Sequence, residues 1–115
     1  MSALISPEES EPTRDAIDAL PGPVLLEFGA TWCGHCRAIA PRVAGLLEGH
    51  PGVQHVKVED GPGRPLGRSF RVKLWPTFVF LRDGREVSRA VRPEAVEVRK
   101  GLEAITAPTD QPSSP

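Results

Sequence analysis

The stretch VLLEFGATWCGHCRAIAP, residues 24–41, holds both cysteines of the chain, Cys33 and Cys36, parted only by Gly34 and His35. At its start, Pro23–Phe28 is a short, nearly continuous apolar run, the pattern of a strand covered on both faces. After the cysteines, Ile39, Val43, Leu46 and Leu47 recur at helical spacing as far as Gly49. Cys33 therefore falls where a strand hands over to a helix. Unpaired amide N–H groups and the positive end of the helix dipole favour an anion at such a junction, which lowers the pKa of a thiol there. Cys36, one turn further, is close enough to close a disulfide but lies deeper in the helix. This asymmetry makes Cys33 the attacking thiol and Cys36 the one that resolves a mixed disulfide.

Other chemistries of paired cysteines fit less well. Haem attachment needs a His directly after the second Cys, and residue 37 is Arg. Structural zinc uses four ligands in recognisable pairs, yet the chain has no second Cys pair. Apart from His35, its only imidazoles are His50 and His55. Metal delivery through Cys33, Cys36 and His35 is a further alternative. Two cysteines packed as small hydrophobes sit poorly beside Trp32, Gly34 and His35. A C-x-x-C within an alternating strand–helix pattern is a redox signal.

The remaining pattern supplies that alternation. Gln54–Val58 lies in an alternating run beginning at Val53 and bounded by Gly52 and the segment DGPGRP, so residues 53–58 read as a second strand followed by a loop. PLGRSF, residues 65–70, reads as one short helix. TFVFLRDGREVSRAV, residues 77–91, reads as a hairpin turning at Asp83-Gly84. Pro93 suits a first helical position, and Ala95, Val98, Leu102 and Ile105 form the apolar stripe of a last helix. With a short helix expected over residues 13–20, the sum is an α/β domain of three layers, a central mixed β-sheet flanked by helices.

At 115 residues the chain makes one domain, with 39% hydrophobic and 25% charged residues. A net charge of −1 argues against nucleic acid or a membrane surface as the main partner, and no apolar run is long enough to span a bilayer. The acidic N-terminus lacks the basic start and apolar stretch of a signal peptide, which leads to the expectation of a cytoplasmic protein. Both ends read as loose: residues 6–13 mix Ser, Pro and Glu, and the domain is expected over residues 1–107 with a disordered tail at 108–115.

VLLEFGATWCGHCRAIAP, followed some forty residues later by WPTFVFLRDG (75–84), resembles the thioredoxin family over roughly residues 4–105. The resemblance implies a thioredoxin-like fold and dithiol–disulfide exchange with protein substrates, without a bound cofactor, in a monomer served by a thioredoxin reductase-type electron donor. It implies further roles residue by residue. Glu27, an acid interrupting the apolar first strand, matches the family's buried acid beneath the cysteines, which takes and returns the proton of Cys36. Lys57 matches the lysine that pairs with that acid in isomerase-type domains. Pro76 matches a cis proline facing the cysteine pair, presenting the backbone of Trp75 to a substrate strand, with Trp32, Trp75 and Thr77 in the same substrate-binding set. Pro41 matches a proline that kinks the helix. Arg92, standing where thioredoxins usually have a nearby Gly, is similar to an isomerase arginine that swings toward the resolving cysteine. Gly34 and His35 tune the couple: Gly-His resembles disulfide isomerases, whereas reducing thioredoxins usually carry Gly-Pro. An imidazole near the helix start can donate to the Cys33 thiolate and make the disulfide a better oxidant. The expectation is a reductase carrying an isomerase-type motif; the alternative is a non-catalytic adaptor or chaperone binding through Trp32 and Trp75.

Overall fold

A computed structural model describes residues 11–108. The element order is α1 (Arg14–Asp18), β1 (Pro23–Gly29), α2 (Gly34–Glu48), β2 (Gln54–Glu59), α3 (Pro65–Ser69), β3 (Thr77–Arg82), β4 (Arg85–Val91) and α4 (Ala95–Thr106). The strands form one mixed sheet in the order β2-β1-β3-β4, with β1 parallel to β2 and the other pairings antiparallel. The expected three-layer α/β fold is present. The reading of a loose N-terminus falls partly, and that of the C-terminal tail almost wholly, outside the described residues.

β1 is buried from Val24 to Gly29, as its continuous apolar run requires. Side chains alternate across a strand, so Val24, Leu26 and Phe28 enter one core and Leu25 the other. The first core joins Ile17 of α1, Leu66 of α3 and Phe70 to Val58, Val79 and Leu81. The second packs Val43 of α2 and Val98, Leu102 and Ile105 of α4 against Phe78 and Phe80. Fully burying each such Leu or Phe is worth about 1.5–3 kcal/mol, which holds the helices to both faces. Gly101 of α4 sits where an added Cβ would lie 2.3 Å from the Phe80 ring, so close approach of α4 to β3 depends on it.

Local chemistry explains the ends of the elements. Thr13 caps α1 by accepting from the Ala16 N–H at 3.1 Å. The hairpin turns at Asp83 and Gly84 with φ of 53° and 80°, the left-handed pair that a two-residue turn demands. α4 begins later than Pro93 suggests. Glu94 is its N-cap in a reciprocal capping box, with the Glu94 N–H donating to Glu97 Oε1 at 2.8 Å, and this leaves Pro93 outside the helix. α2 runs through Pro41 as one element.

Candidate active site

The tight connection between β1 and α2 carries the cysteines. The Cys33 N–H donates to Ala30 O at 3.1 Å, closing a turn, and Cys33 is the N-cap of α2. Its Sγ accepts from the Cys36 N–H at 3.4 Å, the bond that a Ser or Asp oxygen makes at an ordinary helix start. Both cysteines are free thiols, each 7% exposed. Burial alone would raise the Cys33 pKa. The Cys36 thiol and amide, the His35 amide and the charge of Arg92 outweigh it and bring Cys33 below its ordinary value of 9.0. Cys36 is pushed up to about 11, first by burial and then by its hydrogen bond to Cys33, with the Cys33 and Glu27 charges adding to the rise. The two thiols are thus driven in opposite directions. Gly29 makes room for the deeper one: a Cβ there would come within 2.7 Å of Cys36 Sγ.

Glu27 is 2% exposed and points to the α2 side of the sheet. It shares with Cys36, Gly29, Ala30, Arg37 and Lys57 the wall of a cavity of about 240 Å³. Lys57 is its register partner on β2, as expected from the strand reading, but it does not hold the carboxylate. The Glu27 partner is His55, whose Nε2 lies 2.7 Å from Oε1 in a hydrogen bond, while Lys57 is exposed and makes no ion pair with Glu27 among the described residues. His55 and Lys57 stand two apart on β2 and so face the same way. The short, rigid imidazole reaches the acid, whereas the long lysine stem carries its ammonium out to water.

Pro76 follows a cis peptide bond from Trp75. Trp32, 69% exposed, meets Trp75 edge to face with ring centroids 5.3 Å apart. Trp75 is anchored by its indole N–H, which donates to Asp60 Oδ2 at 2.8 Å. Thr77, expected in the substrate-binding set, is 0% exposed, and its hydroxyl donates to Leu74 O at 2.6 Å. Its side chain is buried in the turn that leads from Leu74 into β3.

Arg92 adopts φ of 48°, a left-handed conformation at the position where a nearby glycine is usual in the family. Its backbone N–H donates to Pro76 O and its Nε to Trp75 O, both at 2.9 Å. Its charge lowers the Cys33 pKa, and these bonds tie its backbone N–H and Nε to the proline loop. His35 is exposed and supports Cys33 through its backbone amide; its side chain lines a surface groove with Ile39, Arg42, Pro76, Arg92 and Glu94. No neighbour lies within 4 Å of a Cβ placed on Gly34. Among the described residues, no group of three or more His, Cys, Asp or Glu side chains is gathered as a metal site.

Sequence reasoning missed His55, Asp60 and Gly29. His55 carried a usable signal, the i, i+2 spacing to Lys57; Asp60 lay in a segment legible only as loop, and Gly29 as the end of a strand.

A helix-capping thiol beside a deeper one, a cis proline leading into β3 and a buried acid behind, set on a mixed sheet between helices, define a thiol–disulfide exchange site. Comparison with known proteins agrees. Residues 8–104 match the family model described as Thioredoxin. A thioredoxin of Aspergillus fumigatus is 36% identical over 75% of this chain and 81% of its own length. An H-type thioredoxin of Nicotiana tabacum is 36% identical over 74% and 68%. The structure of reduced thioredoxin 2 from Pseudomonas aeruginosa is 60% identical, covers 82% of this chain and 88% of its own, and superposes with a TM-score of 0.73. The chain belongs to the thioredoxin family and is a thiol–disulfide oxidoreductase. No helix among the described residues is long and apolar enough to cross a membrane.

Proposed function

We propose that the chain reduces disulfides in protein substrates, with Cys33 as nucleophile, Cys36 as resolving thiol and Glu27 as the base that takes the Cys36 proton. The observation that carries this reading is the opposite setting of the two thiols: Cys33 caps α2, while Cys36 is buried above Glu27. The Cys33 thiolate attacks one sulfur of the substrate disulfide and expels the other as a thiolate. Cys36, deprotonated with the help of Glu27, then attacks Cys33 Sγ and releases the second substrate thiolate. Two electrons pass to the substrate, and the protein is left with a Cys33–Cys36 disulfide.

Trp32 offers an exposed aromatic surface for docking, and Pro76 with the backbone of Trp75 forms the platform beside it. This gives the two tryptophans work within the reaction, the same surface that an adaptor would use. Arg92 and the amide of His35 assist the Cys33 thiolate. A thioredoxin reductase-type donor supplies the electrons, in a cytoplasmic setting, to a monomer. Replacing Cys33 with Ser abolishes reduction of insulin disulfides; retained activity refutes the mechanism. Cys36→Ser instead accumulates mixed disulfides through Cys33, and failure to trap any overturns the division of roles.

A further inference from the structure

Glu27 closes two cavities at once. The first holds Cys36. The second, on the other side of the carboxylate, is lined by Val43, Leu47 and Glu48 of α2 with His55 and Lys57 of β2. The Glu27 side chain is 3% exposed and that of His55 30% exposed, with 2.7 Å between Nε2 and Oε1. The carboxylate presents almost none of its own surface to water, while the imidazole bonded to it reaches the surface. An imidazole can take a proton on one ring nitrogen and lose one from the other.

We propose that His55 completes the proton path of the resolving step, carrying to solvent the proton that Cys36 gives to Glu27. The inference rests on Glu27 being the base for Cys36. His55 touches no sulfur and acts through Glu27, so it is a positioning residue that also moves a proton. In the step, the Cys36 S–H proton passes to the Glu27 carboxylate, and once it has left through His55 the Cys36 thiolate forms the bond to Cys33 Sγ. The Cys33–substrate bond breaks, and its electron pair leaves on the substrate thiolate, which takes a proton from water. Before the Cys36–Cys33 bond forms, the ring exchanges its Nε2–H for an Nδ1–H through water, Nε2 takes the proton from Glu27 and Nδ1 loses one to water, so the pair ends as it began, a carboxylate accepting from Nε2–H. The charged and titratable groups around this path are Glu48 of α2 and Lys57 of β2 beside His55, and Cys36 and Arg37 of α2 with Lys57 and Glu59 of β2 beside Glu27. Lys57 borders both cavities but has no atom in the described hydrogen bonds of the path.

The test separates the two thiols in one trace. Reduced full-length protein is mixed with 5,5′-dithiobis(2-nitrobenzoate) in a stopped-flow instrument. The first release of thionitrobenzoate reports attack by Cys33, and the second reports Cys36 displacing the reagent from Cys33. His55→Phe is expected to slow the second phase about tenfold, as a lost proton-carrying group does, and to leave the first within about twofold. Glu27→Gln slows the second phase about 100-fold, and adding His55→Phe to it slows it no further, as two members of one path require. His55→Gln keeps a donor to Glu27 but cannot carry a proton, so it behaves as Phe does. A second phase at the wild-type rate in His55→Gln overturns the inference, since holding Glu27 in place would then suffice. So does a His55→Phe effect that appears in full on the Glu27→Gln background. If Glu27→Gln alone leaves the second phase unchanged, the assignment of Glu27 falls first and the relay with it; a slow Glu27→Gln beside an unaffected His55→Phe removes only the relay.

Discussion

The opposite displacement of the two thiols has a direct measure in their alkylation. Iodoacetamide reacts with thiolates, and the reduced protein, labelled for short times across a pH series and digested, gives the rate at each cysteine by mass spectrometry. At pH 7 a Cys36 pKa of about 11 leaves ~10⁻⁴ of that thiol ionised. A Cys33 pKa below 9.0 leaves at least ~10⁻². The populations therefore differ by at least ~100-fold, but the less basic thiolate is intrinsically slower. With a Brønsted slope near 0.45 the loss is about eightfold over two pH units, so Cys33 still wins by about tenfold or more. The deeper setting of Cys36, packed against Gly29 and bordering the Glu27 cavity, adds to the difference. As pH rises, Cys33 labelling levels off below pH 9, whereas Cys36 labelling keeps climbing toward pH 11. Arg92→Ala withdraws a charge that favours the Cys33 thiolate, so the Cys33 midpoint moves upward and its rate at pH 7 falls about twofold to fivefold, the size of an exposed charge interaction. Added salt shrinks that difference. Equal labelling of the two cysteines at pH 7, or Cys36 labelling that levels off alongside Cys33, would refute the assignment of attacking and resolving roles.

Two further outcomes concern stability. Gly101→Ala places a methyl 2.3 Å from the Phe80 ring and costs about 1–3 kcal/mol in urea unfolding, while an unchanged midpoint shows that α4 does not need to sit so close to β3. Trp75→Phe keeps a ring against Trp32 but leaves Asp60 without its indole donor; a loss of about 1–2 kcal/mol is expected, absent when Asp60 is already replaced by Ala.

What the sequence revealed follows the range of the forces involved. β1 was legible because a strand buried on both faces must be apolar along its length, and Glu27 stood out against that run for the same reason. The cysteine turn was legible because Cys33 had to fall between the two periodicities. The partner of Glu27 was not. β2 places His55 and Lys57 on one side, and the choice between them depends on side-chain reach across a packed interface, a quantity of a few ångströms that no pattern encodes. The burial of Thr77 and the bond from its hydroxyl to the Leu74 carbonyl were likewise not legible, being set by how the turn before β3 packs. The bonds from Arg92 to the proline loop follow from a left-handed backbone conformation and contacts across the fold that no pattern in the sequence marks. The α4 start moved past Pro93 because the Glu94–Glu97 box outweighs the proline's preference.

The cysteine turn forms its own small cluster, Ala30, Cys33 and Cys36 against Trp75, apart from the two cores that hold the sheet. Gly34 and His35 are exposed on it, with open space where a side chain would grow on residue 34. The dipeptide opens α2 yet belongs to neither core. Side chains changed there leave both cores packed, and whatever they add to the stability of the reduced protein over the oxidised one appears directly as redox poise.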